Sequence, residues 1–172
     1  MYEHDVLIVG GGLAGLRAAI EVTTRGADVA VISKVHPVRS HSNAAQGGIN
    51  APLTDRGDDW EGHAYDTIKG SDFLADQDAV EVMSREAGEA VLELERMGVI
   101  FSRGDDGKLG TRRFGGQKKA RTFFVGAITG SAILQVLYEQ SLKLGLNVYE
   151  EWFVTKLIVE EGVCRGVIAI DL

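Results

Sequence analysis

The sequence predicts an α/β fold: a parallel sheet with helices packed on it, followed at the C-terminal side by extended segments that fold as a β-meander. Three observations predict it. Two short β-branched runs, Asp5–Val9 and Asp28–Ser33, flank a helical pattern, the whole unit spanning about 30 residues, the length of a parallel strand–helix–strand crossover. The 172 residues are 45% hydrophobic and 25% charged, the composition of one globular domain with a core of its own. Glycine is over-used, 22 residues against 2 prolines, which points to tight turns and backbone brought close to a ligand rather than to a stiff linker.

Composition also excludes classes. With 18 basic and 25 acidic residues the formal charge is −7, a poor basis for binding nucleic acid. The single cysteine, Cys164, rules out an internal disulfide framework, and four histidines without ligand spacing predict no metal. Met1–Asp5 carries no signal-peptide pattern, and the uncharged stretch between Arg121 and Glu139 is too polar and too short to span a bilayer.

The elements follow in order. Asp5–Val9 reads as a fully buried strand ending at Gly10. Leu13, Leu16, Ala19 and Ile20 recur at helical spacing, and Gly26 closes that helix. Asp28–Ser33 is the second buried strand, and the segment from Lys34 to Thr54 is loop-like. Trp60–Lys69 reads as a short helix. Asp76–Met97 is a strong one, with a face of Val80, Met83, Ala87, Val91 and Leu94 and with Gly98 as its cap. Val99–Phe101 suggests a short strand and Asp105–Gly107 a turn within a hairpin. Lys108, Arg112, Arg113, Lys118, Lys119 and Arg121 form a basic island, read as a solvated face. Thr129–Leu144 is a helix capped by Gly145, and Val148–Ile170 is extended, turning at Glu160–Gly162.

Gly10-Gly11-Gly12-Leu13-Ala14-Gly15 fits G-x-G-x-x-G directly after a strand and at the start of a helix. Gly10 permits the turn, Gly12 lets the backbone approach a pyrophosphate, and Gly15 lets the helix pack against the strand. The helix N-terminus offers N–H groups and a positive dipole end to the phosphates. The fold is therefore Rossmann-like. A nicotinamide enzyme would carry an acid at the end of the second strand for the ribose. This chain has Ser33-Lys34 there, which favours another dinucleotide.

The next loop is more specific. Arg39-Ser40-His41-Ser42 followed by Ala45-Gln46-Gly47-Gly48, together with the glycine loop, resembles the flavoprotein subunit of the succinate dehydrogenase/fumarate reductase family. Further stretches match in order: Trp60-Glu61, Tyr65–Asp72, Phe101-Ser102-Arg103, Arg113–Gln117 and Thr129-Gly130. The resemblance implies a Rossmann-like FAD-binding fold and an oxidoreductase acting on CH–CH groups. It would interconvert succinate and fumarate by hydride transfer to or from FAD. It further implies an iron–sulfur subunit, a membrane anchor and a quinone as partners, at the cytoplasmic face of the inner membrane and peripheral through those partners.

The resemblance assigns residues. Gly10, Gly11, Gly12, Leu13, Ala14 and Gly15 would hold the pyrophosphate; Ser33, Lys34 and Val154 the adenosine side; and Arg39, Ser40, Ser42, Ala45, Gln46, Gly47 and Gly48 the flavin. His41 would be joined covalently to the 8α carbon, since a neutral imidazole is the side chain best able to add there near neutral pH. Gln46, Gly47 and Phe101 would border the dicarboxylate. The family's substrate-clamping histidine and arginines, and its proton-donating arginine, have no counterpart here, so no catalytic acid–base residue is assigned. On that ground residues 1–172 are expected to be the N-terminal part of an FAD-binding domain, incomplete at the C-terminal side, with capping and C-terminal domains absent. Two alternatives remain open. One is an enzyme similar to L-aspartate oxidase, which lacks the linking histidine. The other is an FAD-binding module without turnover.

Overall fold

Strand β1 (Val6–Val9) and strand β2 (Val29–Ser33) lie side by side in parallel, in register from Val6 against Val29 to Val9 against Ile32. The structure is a computed structural model and describes residues 1–172. Helix α1 (Leu13–Thr24) connects the two strands and buries Leu16, Ala19 and Ile20 against them, as the apolar spacing requires. Gly26, at φ 89°, turns the chain out of the helix into β2.

Strand β6 (Asn147–Glu150) pairs in parallel with the other side of β2, from Ala30 against Asn147 to Ser33 against Glu150. The order β1-β2-β6 puts β2 in the middle, and all five of its residues are buried. Ala19, Val29 and Val31 form the core with Val6, Ile8, Val22, Leu146 and Val148 around them. Each fully buried Val or Leu contributes about 1.5–3 kcal/mol. The expectation that the first strand is fully buried is corrected: Val6 and Ile8 face the core, while Val9 is 55% exposed. The reason is that successive side chains point to opposite faces, and α1, through Ala19 and Val22, packs on the face that carries Val6 and Ile8.

The extended C-terminal region divides between two sheets. β6 joins the parallel sheet, Glu151 at φ 61° breaks the strand, and β7 (Trp152–Glu160) and β8 (Val163–Asp171) form an antiparallel hairpin. Glu161 and Gly162, at φ 51° and 78°, make the two-residue turn, both in the left-handed region that a primed hairpin turn needs. Two strands rather than a longer meander are thus antiparallel. β7 also packs on β2.

These elements belong to one compact unit, Met1–Ala44 with Ile133–Leu172; the other is Ala45–Ala132, the second division falling within helix α4 (Thr129–Lys143). In the second unit α2 (Trp60–Gly70) and α3 (Gln77–Met97) pack together. Asp59 and Asp76 cap them by accepting from Gly62 N at 2.6 Å and Ala79 N at 3.2 Å. A small antiparallel sheet has the order β3 (Ile49–Asn50), β5 (Thr122–Phe123), β4 (Thr111–Arg112).

Two expectations fail in this unit. On α3 the buried stripe runs through Val80, Ser84, Val91 and Leu94, while Met83 is 42% exposed. Small residues line part of this stripe because backbone abuts it: a Cβ on Gly88 would lie 2.8 Å from Pro52 O. Val99–Phe101 is not a strand. Phe101 N donates to Val99 O in a tight turn, and the apolar signal came from Val99 and Phe101 being core anchors. The hairpin at Asp105–Gly107 forms, closed by an isolated bridge from Arg103 to Leu109 with Gly107 at φ 75°.

Candidate functional site

The three parallel strands end level with one another, and the glycine loop leaves the end of β1. Gly10 N donates to Ile32 O at 2.8 Å, and Gly10 itself sits at φ 114°, a conformation open to glycine alone at little cost. Gly15 has no alternative either: a Cβ there would fall 1.8 Å from Gly10 O. Gly11 packs on Ser33, where an added Cβ would meet Oγ at 2.9 Å. Gly12 is the N-cap of α1 and has no side chain to cap it, so the first N–H groups of the helix need acceptors from outside the helix. Leu13 and Ala14 form the first helical positions.

The Arg39–Ser42 segment lies against this loop. Leu13 N donates to Ser42 Oγ at 3.4 Å, and a Cβ on Gly12 would approach Ser42 Oγ to 3.3 Å and Ser40 Oγ to 3.7 Å. Ser40 Oγ is buried without a partner. A diphosphate fits this arrangement: uncapped N–H groups, glycines that leave room for close approach, and an orphaned hydroxyl beside them. His41 opens a 3-10 turn, His41–Ala44, and is exposed, so its imidazole is open to a reacting partner.

Ser33, Lys34 and Val154 belong to the same unit. Lys34 Nζ lies 5.6 Å above the ring of Phe153, the residue next to Val154 on β7. The Ser33 hydroxyl donates to Val35 O at 2.6 Å and serves to turn the chain after β2.

In the second unit Ala45–Gly48 is clamped by its backbone. Gly130 N donates to Ala45 O at 2.7 Å, Thr129 Oγ1 donates to Gln46 O at 3.4 Å, and Arg112 Nη2 donates to Gly47 O. Arg112 stacks 4.5 Å from the Phe124 ring. Gly48, at φ 122°, admits no side chain, since a Cβ would fall 2.5 Å from Phe123 O. Phe101 is 1% exposed and meets the Phe123 ring edge-on at 6.3 Å, so it supports this strand from the core. Gln46 and Gly48 are exposed.

The basic island is not one solvated face. Arg121 is 2% exposed and donates to both oxygens of Asp58, at 2.8 and 2.9 Å, and to Asp66 Oδ2 at 2.6 Å. Burial acts to raise both carboxyls, but Arg121, helped by the backbone N–H groups of Asp59 and Lys118, holds them below the ordinary carboxylate range. His63 is buried beside them, and burial together with the Arg121 charge lowers its pKa. A cavity of about 410 Å³ is lined by His63, Asp66, Lys69, Gln117 and Arg121, with His63 Nδ1 and Asp66 Oδ1 unpartnered, a wall suited to ordered water. Sequence reasoning missed the inward use of Arg112 and Arg121.

A glycine-rich turn between parallel strands, opening an uncapped helix with a hydroxyl-bearing loop folded onto it, defines an α/β domain that binds a dinucleotide. The chain belongs to the FAD binding domain family, which matches residues 5–172. It is 49% identical over 180 residues to the succinate dehydrogenase flavoprotein subunit of Rickettsia bellii, covering 99% of this chain and 30% of that protein. It is 44% identical over 173 residues to the fumarate reductase flavoprotein subunit of Mycobacterium tuberculosis, again over 99% and 30%. Among solved structures, an E. coli quinol fumarate reductase superposes with a TM-score of 0.92 at 39% identity, covering 99% of this chain and 29% of that one. The chain thus spans about 30% of the length of the curated relatives it matches. No helix is long and apolar enough to cross a membrane.

Proposed function

We propose that residues 1–172 are the N-terminal part of the FAD-binding domain of a succinate dehydrogenase/fumarate reductase flavoprotein subunit, with FAD held covalently through His41. When bound, FAD supplies the hydride acceptor or donor for the succinate–fumarate couple. Gly10, Gly11, Gly12, Leu13, Ala14 and Gly15 form the diphosphate cradle, with Gly10 making the turn and the first turn of α1 offering backbone N–H groups. Ser33, Lys34 and Val154 receive the adenosine. Arg39, Ser40, Ser42 and Ala45 line the flavin, and His41 fixes it. Gln46, Gly47 and Gly48 border the reactive edge of the ring, where glycines leave room for a dicarboxylate to come close. Phe101 acts at the substrate border by supporting Phe123 and, through it, Gly48. No residue in this chain is assigned as proton donor to substrate. The partners are an iron–sulfur subunit and, through it, a membrane anchor and quinone, and the parent is read as peripheral, through those partners, at the cytoplasmic face of the inner membrane.

The observation that carries this reading is the contact of Ser42 with the first turn of α1, because it brings the histidine-bearing loop onto the diphosphate loop. The test is acid precipitation of the FAD-loaded chain followed by peptide mapping. Flavin remaining on the peptide that contains His41, and lost in His41→Ala, is the expected result. Complete release of flavin from the wild-type chain would instead favour an aspartate-oxidase-like enzyme.

A further inference from the structure

The end of β2 lacks the acid that ordinarily receives the adenosine ribose of a bound dinucleotide. Ser33 does not replace it in kind: its hydroxyl donates to Val35 O at 2.6 Å, and the oxygen that remains to accept is neutral, a weaker acceptor than a carboxylate. The register of the neighbouring strand points to a substitute. Glu150 is the last residue of β6 and lies directly opposite Ser33. In a parallel pair, opposed residues send their side chains to the same face, and adjacent strands lie about 4.8 Å apart. A glutamate side chain is long enough to cover that gap. The position is also at the carboxyl ends of the strands, where ligands of open α/β sheets bind.

The carboxylate is held in place. Tyr138, on α4, donates its hydroxyl to Glu150 Oε1 at 2.7 Å, and the same oxygen lies 3.5 Å from His36 Nε2. The His36 and Tyr138 rings meet edge-on at 4.9 Å, and His36 Nδ1 is buried without a partner. The Tyr138 phenol is pushed up to about 12 by that hydrogen bond and by burial, so it remains a donor at any physiological pH. Both contacts fall on Oε1, which leaves Oε2 as the acceptor on offer. Glu150 is 32% exposed, open enough to reach a ligand. A brace for Tyr138 alone would not need a residue in register with the missing acid.

We propose that Glu150, oriented by Tyr138 and flanked by His36, accepts the hydrogen bond of the adenosine ribose hydroxyl of FAD, standing in for the acid absent from the end of β2. The assignment rests on the FAD-binding reading and adds to it a residue outside the motifs. It makes Glu150 a binding residue and Tyr138 a positioning residue.

The test compares two ligands on the full chain in a His41→Ala background, which serves as wild type for position 150 because it cannot capture flavin covalently: FAD and an FAD analogue lacking the adenosine 2′-hydroxyl, with dissociation constants from flavin fluorescence. In Glu150→Gln, which keeps the shape and an acceptor for Tyr138, FAD binding is expected to weaken about 10-fold or more, the worth of a hydrogen bond to a charged group. The deoxy analogue is expected to bind wild type and Glu150→Gln equally. Tyr138→Phe, which frees the carboxylate without removing it, should show a smaller loss, again for FAD only. An equal loss for both ligands, or none for either, overturns the assignment while FAD binding stands. A wild-type chain that binds neither ligand removes the FAD reading and this assignment together.

Discussion

Arg121 and Asp58 form a two-pronged ion pair in the interior of the second unit, Nε to Oδ2 at 2.8 Å and Nη2 to Oδ1 at 2.9 Å. Asp66 takes the third guanidinium nitrogen at 2.6 Å. One cation thus ties the turn before α2 to α2 itself and to β5, and every charge in the cluster has an opposite charge against it.

Removing Arg121 would leave two carboxylates buried without a counter-charge. Breaking a buried pair from one side costs about 3–5 kcal/mol, far more than the pair contributes relative to an apolar replacement. Arg121→Met is therefore expected to lower stability by about that amount in urea denaturation, and Arg121→Lys by nearly as much, since an ammonium does not reproduce the fork. Asp58 and Asp66 have folded pKa values lowered from 3.8. Their contribution is complete above the unfolded carboxylate pKa and is lost as pH falls through the folded values. Arg121→Met should flatten stability against pH below about pH 4.

His63 imposes a second, higher window. Burial, then the Arg121 charge, lowers its pKa from 6.5. The unfolded chain therefore binds a proton before the folded chain does. Stability is full above pH 6.5 and falls as the pH drops toward the folded value. Urea midpoints taken between pH 8 and pH 5 should decline for the wild type and stay level for His63→Gln over the same range. A wild-type curve without slope there would show that His63 protonates freely in the folded unit.

How much of this was legible in the sequence follows from the range of each interaction. The β1–α1–β2 unit, α3, α4 and the turn at Glu161-Gly162 were readable because periodicity, caps and turn residues are local. The glycine loop and the Ser40–Ser42 segment were readable as motifs, and the structure adds their contact with each other. The exposed face of β1 was not readable, because it depends on which elements pack over each face of the sheet. Val99–Phe101 has the composition of a strand, but its backbone N–H groups bond locally, Val99 N to Leu94 O and Phe101 N to Val99 O, and composition cannot report that. The basic residues after Lys108 could be counted but not oriented: Arg121 meets acids far away in sequence, and Arg112 meets carbonyls at Gln46 and Gly47. Glu150 gains its meaning only from its register with Ser33.

Arg112 carries its own prediction. It donates to Gly47 O, its Nε is buried without a partner, and its guanidinium lies over Phe124. Hydrogen bonds of this charged type are worth about 1.5–3 kcal/mol. Arg112→Ala should lower stability by about that much and accelerate amide exchange at Gly47 and Gly48, read by mass spectrometry. Arg112→Lys keeps the charge but loses the planar stack and the fork, so it should restore only part of the protection. Exchange unchanged in both variants would mean that Gly130 and Thr129 hold the segment unaided.

Gly48 and Gly70 give a matched pair in the same unit. A Cβ on Gly48 would enter Phe123 O at 2.5 Å and Thr122 Cγ2 at 2.5 Å, on a backbone at φ 122° where an L-residue is strained in any case. The strain alone costs about 1–3 kcal/mol, and the backbone clash cannot be relieved by turning a side chain. Gly70 ends α2 with nothing within 4 Å of a Cβ and no positive φ. There an alanine reduces the freedom of the unfolded chain at no steric cost. Gly70→Ala is therefore expected to be neutral or to stabilise by up to about 1 kcal/mol. Gly48→Ala is expected to destabilise by about 2 kcal/mol or more and to displace β3 from β5, visible as faster amide exchange at Ile49 and Phe123. If both substitutions shifted the urea midpoint alike, the tight approach of the Gly48 backbone to β5 would not be what glycine is needed for at that position.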